Sequence, residues 1–243
     1  MLFRSATVVV RVDGVPVARL RDPLVCAVLG TALGDLVGTR VPAILGLPAD
    51  TSEDALKALA AAAASSGSVA LFHAVGVTPE APTLDAIAAG PSLPEIVLEP
   101  GALRAARERL STAASDRLAA VSVGTPHYSF AEFDELVALL PDRPFAVPFY
   151  VSTGRDVLRR VEEAGWSPRL AAAGVTVVTD TCTYVTPILR RPLDGAVMTD
   201  SAKWAWYAPG NLGVDVAFGG LAECVASAAA GRIVLDGERW LDA

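Results

Sequence analysis

Phe145-Ala146-Val147-Pro148-Phe149-Tyr150-Val151 opens the passage that decides the fold: Ser152 leads from it into a helix ending near Gly165, and Val175-Thr176-Val177-Val178-Thr179 follows. Both apolar runs are short and rich in β-branched and aromatic residues, which suits buried strands rather than helices. Neighbouring strands joined through a helix run parallel, because a parallel pair needs a crossover connection.

Working outward, the same alternation repeats. Upstream lie a strand at 118–123 and a capping box, Ser129 with Glu132, that opens a helix at 133–140. Further upstream, a strand at 7–12 precedes a helix at 22–38 with Pro23 in its first turn, where a missing amide proton costs nothing. Thr51 with Asp54 resembles a second capping box and opens an alanine-rich helix to about 65, followed by a strand at 69–73, a helix at 79–89, a strand at 95–98 and a helix at 103–110. Downstream, 195–199 and 214–218 read as strands. The expectation is an α/β fold in three layers, parallel sheet with helices on both faces, with ligands bound beyond the strand carboxyl ends. The 243 residues suit one large domain or two smaller ones. A division near 99–101 gives subdomains 1–100 and 101–243.

Composition narrows the function classes. A net charge of -7 disfavours nucleic acid and anionic membranes as partners, since both call for basic stripes. Mean hydropathy is +0.44, yet Gly, Pro and charges break the apolar runs before the roughly 20 residues a membrane span needs. Cys26, Cys182 and Cys224 are odd in number and lack a CxxC spacing, which suits a reducing compartment, the cytoplasm, rather than a disulfide scaffold. Met1 to Ser5 run straight into the first strand, so no signal peptide is expected. Leu2-Phe3-Arg4-Ser5 also matches one frame of a common sequencing adapter, and upstream sequence is expected to be missing.

Scarcity points to the chemistry. The chain has two histidines, His73 and His127, and two lysines, Lys57 and Lys203. Both histidines follow strands, where either can hydrogen-bond or protonate a ligand; each also suits a structural role, and His127 is the better candidate. Ser129 reads first as a helix cap, although a helix start also binds carboxylates. Cys182 follows the strand at 175–179 among polar residues, as a nucleophile, a metal or cluster ligand, or a small residue in a turn. Cys26 and Cys224 sit among apolar helix neighbours and read as buried hydrophobes. Thr199-Asp200-Ser201-Ala202-Lys203 again follows a strand; its hydroxyls and ammonium suit the acidic group of a small substrate, or simply a capped helix. No GxSxG, P-loop, Rossmann fingerprint or zinc-helix motif is present.

Taken in order, His73-Ala74-Val75-Gly76-Val77-Thr78-Pro79-Glu80, Gly124-Thr125-Pro126-His127-Tyr128-Ser129, Asp180-Thr181-Cys182 and Thr199-Asp200-Ser201-Ala202-Lys203 resemble the second half of the aconitase X large subunit. The resemblance implies an aconitase-like fold and an iron–sulfur-dependent hydro-lyase, acting on cis-3-hydroxy-L-proline or, alternatively, on phosphomevalonate. It implies Cys182 as a cluster ligand, Lys203 and His127 as catalytic groups, and His73, Ser129, Ser201 and Lys203 as contacts to the small acidic substrate. Thr125 stands where some members have cysteine, the form of the bacterial hydroxyproline-acting branch, and Asp200 and Ala202 stand where Asn and Gly are usual. The family's N-terminal half carries a further cysteine ligand, and a small swivelling domain or subunit carries a serine proposed as base. This chain alone is therefore expected to be apo and inactive. Two other readings stand beside this one: a small-anion-binding module without chemistry, and a thiol enzyme with Cys182 activated by His127.

Overall fold

The structure, a computed structural model, describes residues 5–236; of the adapter-like stretch Leu2-Phe3-Arg4-Ser5, Ser5 is described and the rest lies outside the described residues. It divides between Arg109 and Leu110 into two compact units.

The first unit holds β1 (Val8–Arg11), α1 (Pro23–Val37), β2 (Pro42–Leu45), α2 (Glu53–Gly67), β3 (His73–Ala74), α3 (Leu84–Ile87), β4 (Glu95–Val97) and α4 (Pro100–Arg109). Its sheet runs β3-β2-β1-β4, parallel throughout. Asp22 caps α1 by accepting from the Leu24 amide at 2.9 Å, with Pro23 at the first helical position. Most of α1 is buried, because α2 presses against it through small residues. A Cβ built on Gly30 would meet Ala62 Cβ at 2.9 Å and the Leu59 carbonyl oxygen closer still. Gly30→Ala is accordingly expected to cost about 1–3 kcal/mol through overpacking, read as a lower urea midpoint with unchanged slope.

Three sequence expectations shrink here for identifiable reasons. Thr51 does not cap α2: its hydroxyl donates to the Pro48 carbonyl at 2.6 Å, and Ser52 caps instead, accepting from the Ala55 amide at 3.1 Å. The strand at 69–73 reduces to His73–Ala74, the two residues that find partners in the short β2. The helix at 79–89 starts only at Leu84, after Pro82, since proline disfavours helical geometry in the residue before it.

The second unit holds β5 (Leu118–Tyr128), α5 (Phe130–Leu139), β6 (Phe149–Thr153), α6 (Arg155–Glu163), α7 (Ser167–Ala172), β7 (Val175–Thr179), β8 (Ala196–Thr199), α8 (Ala202–Leu212), β9 (Val216–Phe218) and α9 (Leu221–Ala230). Its parallel sheet runs β7-β6-β5-β8-β9. Strand alternation sorts the two faces. Val121, Val123, Phe149, Val151, Met198 and Ala217 join Phe133 and Leu136 of α5, Val161 of α6, Leu170 of α7 and Cys224 of α9 in one core. Ser122 points the other way, to Thr183, which also accepts from the indole of Trp204 on α8. Helices thus cover both faces, the three layers expected. β6 begins later than expected, after Pro148, and α7 was not foreseen beyond Gly165.

From β5 the chain steps outward to β6 and β7, then returns to the other side of β5 for β8 and β9. The order reverses between β5 and β8, and in open parallel sheets the crevice at such a reversal, beyond the carboxyl ends, is where ligands bind. Among the described residues no helix is long and apolar enough to cross a membrane.

Candidate active site

The reversal point is built by an irregularity in β5. Val123 pairs with Val151 and Tyr128 with Thr153, so residues 124–128 of β5 span only two positions of β6. The surplus bulges out of the sheet, as extra residues in a strand do. Gly124 starts the bulge at φ +83°, packed on the Ser152 backbone, a combination only glycine meets without strain. The Thr153 hydroxyl closes it by donating to the Tyr128 carbonyl at 2.8 Å.

Each bulge residue reaches a different neighbour. The Thr125 carbonyl accepts from the Ser201 hydroxyl. His127 Nε2 lies 3.2 Å from the Thr181 carbonyl and, because a carbonyl only accepts, carries the proton. Tyr128 is buried and its hydroxyl donates to Asp200 Oδ2. Burial, with Asp200 adding to it, pushes the Tyr128 phenol well above its usual pKa, so it is a neutral donor. Ser129 caps α5: it accepts from the Glu132 amide at 3.2 Å while Glu132 accepts from the Ser129 amide at 2.7 Å.

The β8 side supplies charge. Ser201 is the N-cap of α8, its hydroxyl accepting from the Trp204 amide at 3.0 Å while donating to Thr125. Lys203 lies in the first turn of α8, half-buried, and forms no ion pair or hydrogen bond among the described residues. The β7 end supplies the thiol. Asp180, at φ +59°, accepts from the Arg155 amide at 3.1 Å and from Arg155 Nε at 2.6 Å, and those bonds hold its carboxyl below the usual range. Cys182 follows, half-buried; its carbonyl accepts from the Val185 and Thr186 amides, both at 3.1 Å. Tyr184 stacks on Tyr207 of α8 with ring centroids 5.6 Å apart, and burial together with Cys182 pushes its phenol up to about 12. Thr183, tied to Ser122 at 2.6 Å and to Trp204 at 2.8 Å, pins this segment between β5 and α8.

His127, Ser129, Cys182, Ser201 and Lys203 thus belong to one unit, at the ends of β5, β7 and β8. His73 belongs to the other: it is buried on β3 with Nδ1 3.0 Å from Glu80 Oε1. Burial opposes ionisation of Glu80, but hydrogen bonds from Thr78, its own backbone and His73 still hold its carboxyl low. Tyr128 and Asp200 went unselected in the sequence although both stand within quoted motifs. The signal was a phenol and a carboxylate following the two central strands.

A cluster does not fit the described residues alone. Cys26 and Cys224 are fully buried on α1 and α9, and burial raises the Cys26 thiol to about 12. Among the described residues no three or more His, Cys, Asp or Glu side chains group to hold a metal. Cys182 is one thiol where a cluster needs several donors. Two buried hydroxyls at the end of the central strands, Thr125 Oγ1 and Ser152 Oγ, have no hydrogen-bond partner among the described residues.

Residues 6–108 match the model of the aconitase X second domain and residues 118–230 that of the aconitase X third domain. The chain belongs to the aconitase X family. Its relatives include a cis-3-hydroxy-L-proline dehydratase of Pseudomonas aeruginosa, 42% identical over 222 residues, which cover 88% of this chain and 38% of that protein. A phosphomevalonate dehydratase large subunit of Methanosarcina mazei is 32% identical over 206 residues, 84% of this chain and 48% of that one. The crystal structure of holo-form aconitase X from Thermococcus kodakaraensis superposes with a TM-score of 0.77 at 28% identity, covering 93% of this chain and 55% of that one. This aconitase X chain therefore spans about half, or less, of the length of the relatives it matches.

Proposed function

We propose that this chain forms part of a hydro-lyase that dehydrates cis-3-hydroxy-L-proline. One observation carries the reading: Lys203, a half-buried ammonium in the first turn of an eleven-residue helix, lacks a protein counter-charge among the described residues. The helix dipole disfavours a cation there, and the first-turn amides of Ala202 and Lys203 have no intrahelical acceptor. All three features suit a bound carboxylate.

Dehydration removes the proton from C2 and the hydroxyl from C3; the C2–H electron pair becomes the C2=C3 bond. Negative charge develops on the carboxylate as C2–H breaks, so Lys203 and the α8 amides act where the transition state gains charge. His127 is assigned the leaving hydroxyl: with Nε2–H kept on the Thr181 carbonyl, the imidazolium form gives its Nδ1 proton to the hydroxyl, which departs as water, and the ring is left neutral. The base is assigned to a small swivelling domain or subunit. An iron–sulfur cluster would receive one thiolate from Cys182 and its other ligands from outside the described residues. Free thiols suit the cytoplasm.

The choice against phosphomevalonate rests on charge. A phosphate plus a carboxylate needs several cations, whereas among the described residues at these strand ends Arg155 is held by Asp180 and Lys203 is left. The higher identity to the hydroxyproline enzyme, 42% against 32%, points the same way. Calorimetric titration of the chain with each compound tests this: saturable binding of cis-3-hydroxy-L-proline and at least tenfold weaker binding of phosphomevalonate are expected. The reverse order would move the assignment to the phosphorylated acid.

A further inference from the structure

We propose that Tyr207, backed by Tyr184, is the platform on which the substrate's pyrrolidine ring stacks. The proposal rests on the dehydratase reading above and extends it to the ring atoms. That reading gives the carboxylate to Lys203 and the hydroxyl to His127, and leaves C4, C5 and the ring nitrogen without a contact.

Lys203 and Tyr207 stand one turn apart on α8, where side chains at i and i+4 are neighbours with about 5–6 Å between their Cβ atoms. Long side chains on a helix lean back over the preceding turn, which carries the Tyr207 ring toward Lys203. The other aromatics of α8 lie differently. Trp204 is fully buried, its indole donating to Thr183. Trp206 is 38% exposed. Tyr207 is half-buried, between the two.

Tyr184 holds that ring in place. The two phenol rings lie within 12° of parallel with centroids 5.6 Å apart, an offset stack that fixes the plane of Tyr207. Tyr184 is itself buried, two residues after Cys182, with its phenol against the Cys182 thiol. Lys203, Tyr207, Tyr184 and Cys182 therefore form one run of side chains, from the carboxylate anchor on α8 to the thiol beyond β7. A saturated ring with its carboxylate on C2 and its leaving hydroxyl on C3 suits such a run. Its secondary ammonium polarises the C–H bonds beside it, and an aromatic face attracts that positive charge. Phosphomevalonate, an open chain, has neither ring nor ammonium to match. Tyr207 is thus the specificity residue for the ring and Tyr184 its positioning residue.

The test follows cis-3-hydroxy-L-proline by proton NMR and calorimetry on the full chain. Protons held over an aromatic face move upfield, so the ligand's C4 and C5 protons are expected to shift upfield on binding to the wild type. Tyr207→Phe, which keeps the face, should retain both the shift and the affinity. Tyr207→Leu should abolish the shift and weaken binding about tenfold, and Trp206→Leu should change neither. Nuclear Overhauser contacts from tyrosine ring protons to C4 and C5 in the wild type are also expected, and they read the platform however the leucine variant folds. Wild-type binding with neither upfield shift nor tyrosine contact, or a shift that follows Trp206 instead of Tyr207, overturns the platform with the dehydratase reading intact. Absence of wild-type binding overturns the two together.

Discussion

Gly124→Ala is expected to lower the stability of the second unit by roughly 3–5 kcal/mol, the sum of overpacking and a left-handed backbone imposed on a residue with a Cβ. The new methyl would stand 2.8 Å from the Ser152 amide nitrogen and nearer still to its carbonyl, both of them backbone atoms of the adjacent strand β6. Neither can swing aside as a flexible side chain does. That loss is a large share of the 5–15 kcal/mol typical of a folded domain. Gly210→Ala, in the same unit, is expected to go the other way by about 0.5–1 kcal/mol, because it lies within α8 with no atom near its added methyl. Thermal or urea unfolding of both variants checks the pair. Equal, small effects would mean that the bulge yields freely and does not hold its residues in place.

That bulge also marks where the sequence stopped being legible. Helix and strand alternation, the Asp22–Pro23 start of α1, and the Ser129–Glu132 capping box are local signals, each carried by residues within a few positions, and the structure reproduces them. The continuation of β5 past Val123 is a different kind of fact. Gly124-Thr125-Pro126-His127 reads as a chain leaving its strand; only the register against β6 returns Tyr128 to the sheet opposite Thr153. The Tyr128–Asp200 bond joins residues 72 positions apart, and the Ser201–Thr125 bond residues 76 apart, so no periodicity announces either. The resemblance named the family to which residues 6–108 and 118–230 match. What it did not supply is which motif residues hold the fold: the hydroxyls of Ser129 and Ser201 both serve as helix caps, whatever else they touch.

Lys203→Gln separates those roles most sharply, with opposite signs for binding and stability. Binding of cis-3-hydroxy-L-proline is expected to weaken about 100-fold, which corresponds to roughly 2.8 kcal/mol at about 1.4 kcal/mol per tenfold. Charge-assisted bonds to a carboxylate in a partly dehydrated pocket have that strength. Stability should not fall with it. A lysine in the first turn opposes the positive end of the helix dipole, so its neutralisation is expected to stabilise α8 by about 0.3–1 kcal/mol, and no ion pair among the described residues is lost. Lys203→Arg keeps the charge but spreads it over a planar fork, and should recover binding only in part. Calorimetry and thermal unfolding on the same three samples read both signs. A lysine retained for the fold alone would show the opposite pattern, with a lower midpoint and unchanged affinity; a residue that weakens its own helix yet holds the ligand is one kept for the ligand.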